Sequence, residues 1–291
     1  MTTAAFALVI TSAFMHATWN LLLKRSHDKQ AFFWGLAAVG LALLLAPAIV
    51  AAFVVGPRWQ LGVYGAGTVT LHAAYAYTIT RGYHLGDLST FYPVSRGMGP
   101  ALVPALAVLL LGEHVSFIAV CGIGFVLLGI YVIHIDTRLW RDLSHPARTI
   151  LQPSTRLALL TGLIIAGYTI WDKNALNHDI SPITLNGFAT LGNFISLTPV
   201  ALASGMVSVR HEWQRHPRSI VAAGVLAPLG YTLVLIALTT SRVSYVTPVR
   251  EVGIVIGTLL GVWMLGEGYG LSRVAGSLMI VLGVITLALA P

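Results

Sequence analysis

Residues 111–129 read LGEHVSFIAVCGIGFVLLG, and residues 265–283 read LGEGYGLSRVAGSLMIVLG. The two stretches lie 154 positions apart, and both run from a Leu-Gly-Glu turn through an apolar segment to a Leu-Gly pair. Self-similarity at a fixed offset is typical of an internal repeat. We therefore predict two homologous halves, residues 1–145 and 146–291, and interpret each half against the other.

The repeat continues upstream of these stretches. At the same offset of 154, the matched pairs are Tyr77 with Tyr231, Arg96 with Arg250, and Gly99 with Gly253. Near the start of each half, an offset of 152 pairs His16 with Tyr168, Trp19 with Trp171, and Asn20 with Asp172. Polar and aromatic positions thus correspond between the halves, as well as apolar ones.

The composition excludes a water-soluble domain. Hydrophobic residues make up 56% of the chain and charged residues only 9%, and the mean hydropathy is +0.82. Soluble domains carry roughly 25% charged residues, so lipid must be the main solvent. A single cysteine, Cys121, excludes an intrachain disulfide framework. The net charge of +7 lies mainly in short loops, which indicates membrane topology and no nucleic-acid groove.

Ten apolar segments are each long enough to cross a bilayer, for which a helix needs about 20 residues. They cover about 4–23, 31–55, 61–80, 88–111, 115–135, 157–176, 183–204, 219–239, 243–265 and 269–290. Five segments per half is an odd number, so the second copy must cross the membrane in the opposite sense. The predicted fold is an all-α integral membrane protein of ten transmembrane helices, arranged as two inverted five-helix repeats.

Loop charges predict the orientation of the chain. Loops after odd-numbered segments hold twelve Lys and Arg residues, whereas loops after even-numbered segments hold three. Positively charged loops stay in the cytoplasm. We therefore expect a multi-pass protein of the cytoplasmic membrane with both termini outside.

This pattern resembles the drug/metabolite transporter superfamily, in its ten-helix form with two EamA-type halves. The likeness rests on the paired Leu-Gly-Glu turns, on the glycines that follow them, and on the stretches YPVSRG at 92–97 and TPVRE at 247–251. The resemblance implies a central cavity lined by the first, third and fourth segments of each half. It also implies secondary transport of a small metabolite without ATP, which agrees with the lack of a phosphate-loop motif in the sequence.

Three charged residues lie deep inside predicted segments, at least seven residues from either end: Arg96 in the fourth, and Arg250 with Glu251 in the ninth. A charge at bilayer depth costs about 2.5–3.5 kcal/mol even on the insertion scale, so these side chains should face a wet cavity or each other. Because the two segments are counterparts, Arg96 can pair with Glu251 across the repeat axis. One interpretation is a cavity whose surplus positive charge binds a carboxylate or another anion. The other is a structural ion pair between the halves.

Five more residues are candidate substrate contacts. Tyr77 and Tyr231 carry hydroxyls that could bond substrate, although repeated tyrosines could equally be packing residues. His16 and Asp172 could hold a proton or substrate; the alternatives are a satisfied buried histidine and a carboxylate that reaches interfacial water. Trp19 could stack on substrate or anchor its helix at the headgroup level.

Other repeated residues suit structural roles. Pro93 and Pro248 should kink their helices, either as hinges or by freeing carbonyl groups beside the charges. Gly253, Gly257 and Gly261 are four residues apart and predict close helix packing in lipid.

Two acidic turns and one histidine-containing stretch are also assigned structural roles. Glu113 and Glu267 each precede a segment, where a carboxylate can accept from free N–H groups at a helix start. The HEWQRH stretch at 211–216 looks metal-like but is predicted to be a solvated basic loop. We predict no metal and no other cofactor.

The leading hypothesis is a secondary active transporter that moves an amino acid or small organic anion by alternating access, with export as the expected direction. Its expected partners are that substrate, the lipid bilayer and, if His16 or Asp172 carries one, a coupled proton. We expect a monomer or homodimer and no nucleic acid. An exporter of lipophilic drugs is the alternative within the class. A polytopic membrane enzyme is the alternative outside it, but no clustered catalytic motif occurs, so no catalytic residue is assigned.

Overall fold

We describe a computed structural model of the chain over residues 1–55, 59–85, 88–133, 153–203, 205–265 and 270–291. Every regular element in these ranges is a helix. The first half contains α1 (Thr3–Arg25), α2 (Lys29–Val55), α3 (Trp59–Leu85), α4 (Leu88–Leu111) and α5 (Phe117–Ile133). The second half contains α6 (Pro153–Asn177), α7 (Pro182–Ala203), α8 (Val207–Arg215), α9 (Pro217–Thr240), α10 (Val243–Arg250), α11 (Val252–Leu265) and α12 (Leu271–Leu289). The prediction of an all-α fold is confirmed for this part of the chain.

Within the described ranges, seven helical stretches are long and apolar enough to cross a membrane, and α7 with α8 forms an eighth if this bent pair is one span. Helix α5 is apolar but has only 17 residues, and α3 is not among the seven. Helices lie at all ten predicted positions. Their lengths and composition support a multi-pass membrane protein of seven or eight spans, so the count of ten stays a prediction.

Helices α5 and α12 cross at glycines that the duplication relates. A Cβ atom added to Gly129 would lie 2.6 Å from the carbonyl oxygen of Gly276, and one added to Gly276 would lie 2.6 Å from that of Gly129. Gly122 meets Gly283 in the same way, with such contacts at 3.0 and 2.6 Å. Because the earlier glycine of each helix meets the later one of its partner, the two helices run antiparallel. Only residues without a side chain permit this backbone approach.

The predicted packing glycines of α11 face α1 less tightly. A Cβ atom added to Gly253 would lie 3.3 Å from the carbonyl oxygen of Ala13. One added to Gly257 would lie 3.9 Å from the Cβ atom of Ala17. The surroundings of Gly261 lie outside the described residues. Helices α5 and α12 therefore approach each other more closely at their glycines than α1 and α11 do.

The helices of the two halves interleave. Helix α1 packs on α9 and α11, helix α3 packs on α6 and α7, and helix α2 packs on α7 and α9. Helix α4 packs on α6, and α5 packs on α12. By the duplication, α1 corresponds to α6, α3 to α9, and α4 to α10 with α11. The contact of α1 with α9 therefore corresponds to that of α6 with α3, and the contact of α4 with α6 corresponds to that of α11 with α1. Both contacts of each such pair are present.

The ninth predicted segment is broken. Helix α10 ends at Arg250, Glu251 forms a turn, and α11 begins at Val252. Pro248 lies in the last turn of α10, and its carbonyl oxygen accepts from the N–H of Glu251 at 3.1 Å. Helix α4 continues through the equivalent Pro93, whose side chain lies outside the described residues. The break places a charged pair, Arg250 and Glu251, where one helix stops and the next starts.

Residues 211–216 do not form the solvated loop that the sequence predicted. They lie mostly in α8, and Glu212 is only 1% exposed. Its carboxylate accepts from the backbone N–H groups of His27 and Asp28 at 3.2 and 3.1 Å. Asp28 in turn accepts from the N–H groups of Gln30 and Ala31, both at 3.0 Å. Glu212 therefore fixes the start of α2, because a buried carboxylate needs such donors.

Candidate functional site

A cavity of about 100 Å³ lies between eight helices, α1–α4, α6, α7, α9 and α10. The resemblance implied walls from the first, third and fourth segments of each half, and the structure adds α2 and α7 to them. Its polar and aromatic lining comprises Ser12, His16, Trp19, Phe33, His72, Tyr75, Arg96, Tyr168, Asn186, Thr190, Asn193, Tyr231 and Arg250. Both halves of the chain thus contribute to one internal site.

The charge of this lining is positive. Arg96 and Arg250 reach the cavity wall, and no Asp or Glu is found among its described lining residues. The guanidinium group of Arg250 has no hydrogen bond or ion pair with any residue that the structure describes. A cation that is half-buried without a fixed counter-charge favours an anionic ligand beside it.

Arg96 forms an ion pair with Glu251. Its Nη2 atom lies 3.3 and 3.4 Å from the two carboxylate oxygens, and the residues are only 8% and 4% exposed. The pair joins α4 to the turn between α10 and α11, and so joins the two halves. Arg96 lines the cavity whereas Glu251 lies behind it, so the pair stands at the edge of the site.

Asp172 is the centre of a buried hydrogen-bond network. It is 0% exposed, and its Oδ1 atom accepts from the hydroxyl of Thr68 at 2.7 Å. Its Oδ2 atom accepts from the hydroxyl of Tyr231 at 2.6 Å and lies 3.1 Å from Nε2 of His72. The alternative of a carboxylate that reaches interfacial water is wrong for Asp172, because the network encloses it completely.

Two residues of this network, His72 and Tyr231, also line the cavity. The His72 ring centroid lies 4.4 Å from that of Tyr168 and 5.5 Å from that of Tyr231. Sequence comparison of the halves gave His72 little weight, because its counterpart is the apolar Leu226. The signal that could have found it is spacing within α3. Thr68, His72 and the cavity residue Tyr75 are four and three residues apart, and therefore share one helix face.

Of the remaining candidate substrate contacts in the first half, two line the cavity and one lies on the outer surface. His16 and Trp19 line the cavity, with ring centroids 5.0 Å apart. Trp19 is 8% exposed and also packs on Phe33, so it is a buried cavity residue and not an exposed anchor. Tyr77 is 55% exposed on the outer face of α3 and does not reach the site. Its counterpart Tyr231 does, so the duplication does not make the two tyrosines equivalent.

Two charged residues next to predicted segment ends hold helix termini. The carboxylate of Glu113 accepts from the N–H groups of Val243 and Ser244 at 2.8 and 3.1 Å. It thus stabilises the start of α10, not the start of the next helix α5, for which the sequence argument had proposed it. Lys173 donates to the carbonyl oxygens of Leu238 and Ser241 at the end of α9. Glu267 lies outside the described residues.

No group of three or more His, Cys, Asp or Glu side chains is placed to hold a metal ion within the described part of the chain. Nε2 of His216 lies 3.9 Å from Oε1 of the buried Glu212, whose carboxylate is engaged at the start of α2.

Comparison with known proteins gives a family and a fold. Residues 155–289 match the model of the EamA-like transporter family. Solved structures include 28 matching chains. One of them, recorded only as "Crystal structure of protein", has 17% sequence identity and a TM-score of 0.76, and the match covers 99% of each chain. At this identity the likeness shows the fold alone. No curated protein sequence matches significantly.

Proposed function

We propose that this chain, whose residues 155–289 match the EamA-like transporter family, is a transporter of the drug/metabolite superfamily and moves a small organic anion through the central cavity. Transport is secondary and proceeds by alternating access, with export across the cytoplasmic membrane as the direction. The substrate anion binds beside Arg250, and the halves rock about it.

The observation that carries this proposal is the charge of the cavity. Two arginines line it, no carboxylate is among its described lining residues, and Arg250 has no partner within that part of the chain. A planar guanidinium binds a carboxylate or sulfonate through two parallel hydrogen bonds. Asn186 and Tyr168 add polar groups for orientation, and Trp19, Tyr75 and Tyr231 add apolar ring surface.

The same observation ranks the alternatives. An amino-acid zwitterion needs an acceptor for its ammonium group, yet the two nearby carboxylates are engaged, Glu251 by Arg96 and Asp172 by three donors. A lipophilic cation would meet two positive charges. A monoanion therefore suits the site better than either.

The proposed architecture is two inverted five-helix repeats over residues 1–145 and 146–291, with both termini outside the cell. The antiparallel crossing of α5 and α12 supports an inverted relation. The interleaved contacts, which map onto themselves when counterpart helices are exchanged, support it as well.

Counterflow in proteoliposomes tests the proposal. Reconstituted protein is loaded with one candidate and offered a labelled one from a panel of organic monoanions, amino acids and lipophilic cations. We expect exchange for monoanions, and Arg250→Gln should weaken anion binding roughly tenfold to a hundredfold, the value of a lost charged hydrogen bond. Arg242→Gln is the matched control, because Arg242 is exposed and bonds to the carbonyl of His114. Exchange of cations with none of anions would refute the proposal.

A further inference from the structure

We propose that each substrate anion enters this site together with one proton, which the imidazole of His72 holds against the carboxylate of Asp172. Loaded transport is then electroneutral. The inference rests on the proposed function and adds its coupling ion and stoichiometry, which the anion site alone does not supply.

The geometry separates the roles of the two side chains. Asp172 is fully buried and accepts hydrogen bonds from Thr68 at 2.7 Å and from Tyr231 at 2.6 Å. Both hydroxyls donate to Asp172, so its two oxygens act as hydrogen-bond acceptors in this network. His72 directs Nε2 at it from 3.1 Å and therefore donates the Nε2 hydrogen. Nδ1 is the atom that gains the incoming proton.

Charge balance then couples the proton to the anion. Arg96 and Glu251 neutralise one another; Arg250 and the buried Asp172 carry the two remaining opposite charges, although no hydrogen bond or ion pair joins them among the described contacts. Both arginines and both carboxylates lie within electrostatic range of the Tyr168 hydroxyl, so they act as one cluster. With neutral His72 the described part of this cluster carries no net charge. An arriving anion makes it negative, and a proton on His72 restores neutrality in a region where net charge is costly.

The other titratable groups facing the pair do not take this role. Helices α2 and α7, packed against α3 or beside it, contribute only neutral side chains to the described cavity wall. Helices α6 and α9 contribute the phenols Tyr168 and Tyr231. His16 of α1 lines the cavity with Arg96 and Arg250 and has no carboxylate contact among the described residues, so no counter-charge would hold a proton there. Of the two histidines in the described cavity wall, His72 is the one in contact with a buried carboxylate.

The His72–Asp172 contact also joins the two halves of the chain, so its strength can depend on what the site has bound. Thr68 and His72 belong to α3 of the first half, whereas Asp172 and Tyr231 belong to α6 and α9 of the second half. A proton converts the His72–Asp172 contact from a neutral hydrogen bond into an ion pair, which is stronger. Loading with both anion and proton therefore strengthens a contact between the halves, and loading with the anion alone does not.

Proton uptake on binding tests the inference directly. The probe is benzenesulfonate, a permanent monoanion, so any pH effect belongs to the protein. Calorimetric titration in two buffers of different ionisation enthalpy counts protons bound per anion. We expect a count approaching one, and an affinity that weakens by up to tenfold per pH unit as the pH rises, because one proton is taken up with each anion. In proteoliposomes, a pH gradient should drive uptake, and an imposed membrane potential should not.

The variant His72→Gln should bind the probe with no proton uptake and with an affinity independent of pH. The net flux that remains in this variant should become sensitive to membrane potential. His178→Gln is the matched control, because His178 is an exposed histidine beyond the end of α6, bonded to Tyr64. Should His72→Gln fail to fold, the proton count of the unaltered protein still decides.

The outcomes separate the two proposals. Saturable, Arg250-dependent binding with no proton uptake overturns the coupling and leaves the anion site standing. Proton uptake that survives His72→Gln, or that is lost in His16→Gln alone, overturns the assignment to His72. Absence of any Arg250-dependent binding of the probe overturns the anion site, and the inference with it.

Discussion

The crossing of α5 and α12 permits a steric test within one helix. The variant Gly129→Ala places a methyl group 2.6 Å from the carbonyl oxygen of Gly276 and 2.8 Å from the backbone N of Ile280. These are main-chain atoms, so no side chain can rotate out of the way. Gly124 lies on the same helix with nothing within 4 Å of its Cβ position, and Gly124→Ala is therefore the matched control.

The quantity to compare is the difference in unfolding free energy between Gly129→Ala and Gly124→Ala. Both replace a helical glycine by alanine, which favours the helix by up to about 1 kcal/mol, and this gain cancels in the comparison. A carbon needs at least about 3.2 Å from a carbonyl oxygen, so the helices must separate by roughly 0.6 Å at Gly129. Overpacking of this kind costs about 1–3 kcal/mol. We expect Gly129→Ala to be less stable than Gly124→Ala by that amount.

Thermal unfolding of the purified protein in mild detergent measures the difference, which should be on the order of 5 °C in the midpoint. The double variant Gly129→Ala with Gly276→Ala should lose less than the sum of the single losses, because one methyl group has already separated the helices. Equal midpoints for Gly129→Ala and Gly124→Ala would refute the close crossing.

Three further predictions concern buried charges and are measured by the same unfolding assay. Arg96→Ala should cost about 3–5 kcal/mol, because Glu251 is left buried without a partner; replacing both residues by Met should recover most of the loss, and no recovery would argue against the pair. Glu113→Ala should cost about 1 kcal/mol through the start of α10, and a smaller loss in Glu113→Gln would identify hydrogen bonding as the cause. Glu212→Ala should cost about 1–3 kcal/mol, and a neutral result would contradict its role at the start of α2.

Periodicity and duplication predicted the helices well. Apolar runs near 20 residues can satisfy their backbone groups in lipid only as helices, so the positions of the segments follow from composition alone. The pairing of Arg96 with Glu251 also followed from the halves, since two charges on counterpart segments have few other neighbours.

The site itself was predicted only in part, because a comparison of the halves selects residues that occur in both. Tyr77 recurs and lies outside the cavity, whereas His72 does not recur and lines it. The buried network around Asp172 depends on three helices that are distant in sequence, and a sequence shows only the face shared by residues of one helix. Glu212 was missed for the same reason, because its partners lie more than 180 positions away.

The interleaving of the helices has a consequence for biosynthesis. Helices α1 and α3 have their main partners in α9 and α7, which leave the ribosome later. Until the second half is made, Arg96 of α4 lacks its partner Glu251, and the glycine face of α5 lacks α12. A nascent first half is therefore a client for insertion and quality-control machinery, and a prematurely terminated chain should be degraded instead of accumulating as a half-sized bundle.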